Sequence, residues 1–150
     1  MPGLTLDTAL AISRIAFDTA GALGAKPLSV VVLDAGGHVL SSQRQETASL
    51  FRTAIATAKA TGALGMGMGS RTLAARAQQS PVFFASLSAV TDGQIALAPG
   101  GVLIRDEAGA IIGAVGVSGD TADIDETCAV AGIGAAGLIA DAGSAPESKS

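Results

Sequence analysis

The run Ile111-Ile-Gly-Ala-Val-Gly-Val117 leaves the chain few choices. Its β-branched residues favour extended backbone, while glycine weakens a strand interior unless another segment must come close. Gly113 and Gly116 therefore predict a strand pressed against a neighbour. Partners for it can be read elsewhere. Leu28 to Leu33 is a short, apolar, β-branched run and reads as a buried strand. Asp34-Ala35-Gly36-Gly37 reads as a tight turn, and His38 to Gln43 as the returning strand. Gln94 to Ala98 is expected to be a further strand. It is followed by a Pro99-Gly100-Gly101 turn, a strand from Val102 to Arg105, and a turn over Asp106-Glu107-Ala108-Gly109.

Helical spacing separates these strands. Thr5 is placed to cap a helix carrying Leu6, Leu10, Ser13 and Phe17, ending near Gly21 or Gly24. A second helix is expected from Ser49 to Gly65, a third from a Ser70 cap to Gln79, and a short element from Pro81. The last helix starts at a Thr121 or Asp123 cap and is expected to run to about Ala142. Strands joined by tight turns and covered by helices predict one α+β domain with an antiparallel sheet, its core at about 5–142. Residues 143–150 are polar and read as a frayed tail.

Composition narrows the function classes. The chain has 150 residues, the length of one ordinary domain. Hydrophobic residues make up 49% and charged residues 15%, with a mean hydropathy of +0.51, which excludes a disordered chain. A net charge of −4 and no basic stripe argue against nucleic-acid binding. The single cysteine, Cys128, excludes an internal disulfide and a cysteine-based zinc cage. The Ile124–Ala142 stretch carries Asp125 and Glu126 and reads as a small-residue packing helix, not a membrane span. The opening MPGLTLDTAL has no basic segment and predicts a cytoplasmic protein. So few charges on so small a domain leave apolar surface that a homo-oligomer would bury.

Several side chains are candidates for chemistry. His38, the sole histidine, follows the first hairpin turn and can change charge near neutrality. Lys59 lies mid-helix among alanines, with Arg52 two turns earlier on the same side; together they could clamp a carboxylate. Asp120, Asp123, Asp125 and Glu126 cluster about the start of the last helix, where the dipole favours negative charge and paired carboxylates can tune each other. Met66, Met68 and Cys128 are soft metal ligands or gap-filling core. The catalytic candidates are His38, Lys59 and Glu126, and the candidate metal ligands are His38, Met66 and Cys128.

Taken in order, Val31-Val-Leu-Asp34-Ala-Gly36-Gly37-His-Val-Leu40, Ala58-Lys59-Ala60, Pro99-Gly100-Gly101-Val-Leu-Ile, Gly113-Ala-Val-Gly116-Val-Ser118-Gly119, Asp125-Glu126 and Ala131-Gly132 resemble the GlcG/HbpS family. That family includes the C-terminal domain of PduO proteins. The resemblance spans Leu6 to about Ala142. It implies a roughly five-stranded antiparallel sheet flanked by helices, and assembly into dimers or larger oligomers. Some members are haem-binding sensors or haem-handling proteins; others serve corrinoid-related or catabolic systems. The matching positions are Asp34, Gly36, Lys59, Gly100, Gly101, Gly116, Ser118, Gly119, Asp125 and Glu126. Of these, Lys59, Gly100, Gly101 and Ser118, with Arg52, are the expected ligand-binding residues. Haem is the cofactor the resemblance implies, and His38, Met66, Met68 and Cys128 are the side chains able to serve its iron.

Three functional readings follow. The first is a small-ligand binding protein, for haem or another flat anionic molecule. The second is a cofactor-independent isomerase, tautomerase or hydrolase for a small carboxylate, with Lys59 or Arg52 holding the substrate and His38 or a carboxylate moving a proton. The third is a structural or regulatory oligomer.

Overall fold

A computed structural model describes residues 3–144. Five helices and five strands follow in the order α1 (Leu6–Ala22), β1 (Ser29–Asp34), β2 (Val39–Arg44), α2 (Arg52–Met66), α3 (Ser70–Gln79), α4 (Pro81–Val90), β3 (Gly101–Arg105), β4 (Ile111–Ser118), α5 (Ala122–Ala135) and β5 (Ile139–Asp141). The strands form one antiparallel sheet in the order β2-β1-β4-β3-β5, so the fold is α+β as expected.

The sheet is covered on both faces, which explains why β1 is an unbroken apolar run. Successive side chains of a strand point to opposite sides. Val30 and Val32 join Val102, Ile104, Val115 and Val117 against α1 and α5, while Val31 and Leu33 join Leu103 and Ala114 against Ala56, Ala60 and Ala63 of α2. α1 presents Ala9, Ile12, Ala16 and Ala20 at helical spacing and is capped by the Thr5 hydroxyl, which accepts from the Thr8 N–H.

The close approach predicted at Gly116 is real. Gly116 pairs with Gly101 across β4 and β3, beneath α2. A Cβ on Gly116 would overlap the Ala56 carbonyl oxygen, and one on Gly101 the Lys59 carbonyl oxygen. The backbone of α2 thus rests directly on the sheet.

Four expectations need correction. Gln94–Ala98 is not a strand; it is an irregular strap in which Ile95 packs over Gly62. The fifth strand is instead Ile139–Asp141, because the last helix stops at Ala135. Gly137 adopts φ +76° and the Leu138 N–H turns back to the Ile133 carbonyl, ending the helix and freeing the chain to pair with β3. Ser70 does not cap α3. Its hydroxyl donates to the Ala98 carbonyl and accepts from the Gly101 N–H, tying the strap to the start of β3. α2 begins at Arg52, three residues after Ser49.

Of the expected frayed tail, Gly143 and Ser144 are held by the Asp141 carboxylate and the Thr72 hydroxyl, and residues 145–150 lie outside the described residues. A third apolar cluster forms off the end of α2, where Leu73, Phe84 and Leu87 of α3 and α4 meet Met66, Met68, Ile95 and Leu97. Among the described residues no helix is long and apolar enough to cross a membrane.

Candidate functional site

The residues expected to bind a ligand gather at one end of the sheet, where β4 ends and β3 begins. Lys59 reaches past Gly100, which has φ +123° and no side chain to obstruct the ammonium. Its Nζ donates to the Val117 carbonyl at 2.9 Å and to Asp125 Oδ2 at 3.1 Å. The Lys59 and Asp125 side chains are only 4% and 1% exposed. Asp125 is further satisfied by the Gly119 and Asp120 N–H groups. Burial draws the Lys59 pKa below its ordinary value, opposed by the charge of Asp125.

Arg52 completes this corner. Its guanidinium donates to the Ser118 hydroxyl at 3.3 Å and to Ser49 Oγ at 3.2 Å. Arg52, Lys59, Gly100, Gly101 and Ser118 thus lie at one corner of the sheet; spacing alone pairs only Arg52 with Lys59, and the other three come from the family resemblance. The anion that Lys59 meets within the fold is Asp125, carried by a helix on the opposite face of the sheet. The corner acts as a buried clamp joining α2, β4 and α5.

The other candidates are dispersed. His38 is 82% exposed on the hairpin, with Nδ1 3.3 Å from Asp34 Oδ1. The His38 N–H, donating to that carboxylate, is the main cause of its lowered pKa. Glu126 accepts from Arg71 Nε at 3.0 Å, and Asp123 accepts from the same guanidinium, so Glu126 is engaged in an α3–α5 bridge. Cys128 is fully buried between α1, α5 and the sheet, where burial pushes its thiol up to about 11. A thiol so placed is a core side chain, not a ligand open to a metal from solvent. Among the described residues no three His, Cys, Asp or Glu side chains cluster as a metal site.

Met66 and Met68 are different. They line a cleft of about 610 Å³ with Thr72, Arg76, Phe83 and Phe84, between the end of α2 and the α3–α4 pair. None of the corner residues lines it. Phe83 and Phe84 meet edge to face, with centroids 5.2 Å apart. Arg76 is exposed and makes no ion pair among the described residues. The cleft thus combines thioethers, aromatic rings and a free guanidinium within the size range of small-molecule sites. Arg76, Phe83 and Phe84 were not singled out from sequence; the signal was the uncharged run PVFFASL lying seven residues past Ala74.

Comparison with known proteins places this geometry. No curated protein matches the chain significantly. Among solved structures, the PduOC:heme complex is similar with a TM-score of 0.82 at 25% identity, over 91% of this chain and 97% of that one. The Klebsiella pneumoniae protein ORFY has a TM-score of 0.80 at 26% identity, over 91% and 92% of the two chains. Streptomyces reticuli HbpS, in a doubly substituted form, has a TM-score of 0.77 at 29% identity, over 90% and 88%. The family model described as haem degrading protein HbpS-like matches residues 4–134. With the family model covering residues 4–134, most of the chain, the chain belongs to the HbpS-like family.

Proposed function

We propose that this protein binds a flat, apolar, anionic organic ligand of the haem class in the cleft between α2 and the α3–α4 pair. The observation that carries the reading is the joint lining of that cleft by Met66, Met68, Phe83, Phe84 and Arg76. The residues suit haem chemically. Thioether sulfur is a known axial ligand class for haem iron. Aromatic rings offer apolar walls to a macrocycle, and a guanidinium recognises a carboxylate by paired donors. The similarity to the PduOC:heme complex supports the same ligand class.

When bound, haem would supply a redox-active iron. The chain's own residues would do the holding: Phe83 and Phe84 would offer apolar walls, Met66 and Met68 would offer sulfur, and Arg76 would pair with a carboxylate of the ligand. The Lys59–Asp125 clamp contributes by fixing α2, on whose last turn Met66 stands.

Titration of the purified chain with haemin tests this. A sharpened Soret band is expected, lost when Met66→Ala and Met68→Ala are combined and weakened by Arg76→Ala. A spectrum matching haemin mixed with an unrelated acidic protein, or one unaffected by all three substitutions, would refute the cleft as the site.

A further inference from the structure

We infer that the hollow between α2 and the strap that follows α4 is a second small-molecule site, for an uncharged, largely apolar compound bearing one N–H or O–H group. The hollow has a volume of about 380 Å³, within the size range of small-molecule sites. Val90, Ile95 and Met66 give it apolar walls. Gly65 leaves it open, since a Cβ there would meet nothing within 4 Å. Met66 is the one residue it shares with the cleft described above.

The strap is held in place at both ends. After Val90 the chain reverses through Asp92, with φ +55°, and Gly93, with φ +75°. Among the described residues Asp92 is the one non-glycine in left-handed backbone, a conformation that persists only where the surroundings enforce it. The Gly93 N–H donates to the Ser88 carbonyl at 2.7 Å, and the Gln94 N–H to the Thr91 carbonyl at 3.2 Å. Ile95 then settles on α2 at Gly62, where a Cβ would stand 2.9 Å from Ile95 Cγ1. At the far end the Ser70 hydroxyl holds the Ala98 carbonyl. A segment of strand-like composition is thus kept off the sheet and fixed over a helix.

Two polar side chains, Thr61 of α2 and Gln94 of the strap, line the same hollow. Neither makes a side-chain hydrogen bond among the described residues, whereas Thr57 and Thr91 spend their hydroxyls on the Thr53 and Leu87 carbonyls. A glutamine amide both donates and accepts, so the pair can satisfy one N–H or O–H of a guest. Thr61 and Gln94 also border an adjoining hollow of about 400 Å³, which leaves room for the guest's polar end. No residue lining either hollow carries a charge, so an ion there would give up its water without a counter-charge. An apolar body instead gains by covering Val90, which is 79% exposed. The Arg76 cleft calls for an anion; this hollow calls for a neutral molecule.

Titration of the full chain with indole, without haemin, tests this independently of the haem reading. The readout is the NMR methyl signals of Val90 and Ile95, which border this hollow and not the cleft. Saturable shifts of both are expected. Thr61→Val and Gln94→Leu should each weaken indole binding about three- to tenfold, the scale of one hydrogen bond, while benzene, which has no donor, binds as in the wild type. Gly65→Leu should block both probes by filling the space. Indole-3-acetate, the same ring with a carboxylate, should bind there about tenfold or more weakly than indole. The proposal is overturned by Val90 and Ile95 signals that stay still or never saturate, by Thr61→Val and Gln94→Leu variants that bind indole like the wild type or lose benzene equally, by a Gly65→Leu variant that still binds, or by indole-3-acetate binding as well as indole.

Discussion

Two cation-bearing regions of this molecule stand in contrast. At the sheet end, Lys59 is enclosed, and Asp125, Val117 and the Gly119 and Asp120 N–H groups complete the network around it. In the cleft, Arg76 is exposed beside two methionines and two phenylalanines. From sequence Lys59 was the more conspicuous of the two, because a cation among alanines needs an explanation. The structure supplies that explanation from inside the chain. What distinguishes a binding cation is its availability, and only a partner count across the fold reveals that.

Substitutions can break or sharpen this contrast. Asp125→Ala leaves the Lys59 ammonium buried without its counter-charge and should cost about 3–5 kcal/mol, measured by urea unfolding. Replacing both together by Lys59→Met and Asp125→Leu should cost far less than the two single replacements added together; a double-variant loss equal to that sum would show that the pair is not coupled. Gly116→Ala pushes a methyl into the α2 backbone and should destabilise by about 1–3 kcal/mol or more. A wild-type unfolding midpoint for that variant would contradict direct contact between helix and sheet.

In the cleft, Arg76→Ala should leave stability within about 0.5 kcal/mol of wild type while haemin affinity falls about tenfold, the scale of one charge-assisted hydrogen bond. An Arg76 variant that unfolds easily yet binds haemin normally would reverse the roles assigned to the two regions.

The smallest expected effect lies at the surface. Asp34 and Asp120 have pKa values lowered from 3.8, chiefly by the backbone N–H groups of His38 and Lys26 respectively. Each carboxylate is better held when folded than unfolded, so its contribution is present above pH 3.8 and fades as pH falls through the lowered folded value. Unfolding midpoints of Asp34→Asn against pH should show a slightly shallower acid decline than wild type; a steeper one would mean the turn does not favour the charged form.

Much of the framework is readable without coordinates because its signals are local. Thr5 caps the helix beside it, Asp34 and Asp106 open their own turns, and the β-branched runs around 30, 103 and 115 become the three inner strands. The errors fall where distant segments decide. Gln94–Ala98 has strand-like composition, but β3 takes its outer partner from Ile139–Asp141, after a glycine stops the last helix. Ser70 looks like a cap and is instead spent on Ala98 and Gly101. The Lys59–Asp125 pairing spans 66 residues, and no spacing rule connects those positions. The cleft draws on three helices at once, so its members share no motif.

The glycine pair beneath α2 has a broader consequence. Because Gly101 and Gly116 put main chain against main chain, the distance between that helix and the strands is set by atoms that every amino acid shares. Side-chain drift elsewhere in the layer cannot widen the gap, whereas any side chain introduced at either position must. The spacing behaves as a fixed gauge, and the last turn of α2, with Met66 upon it, is held at a constant height above the sheet.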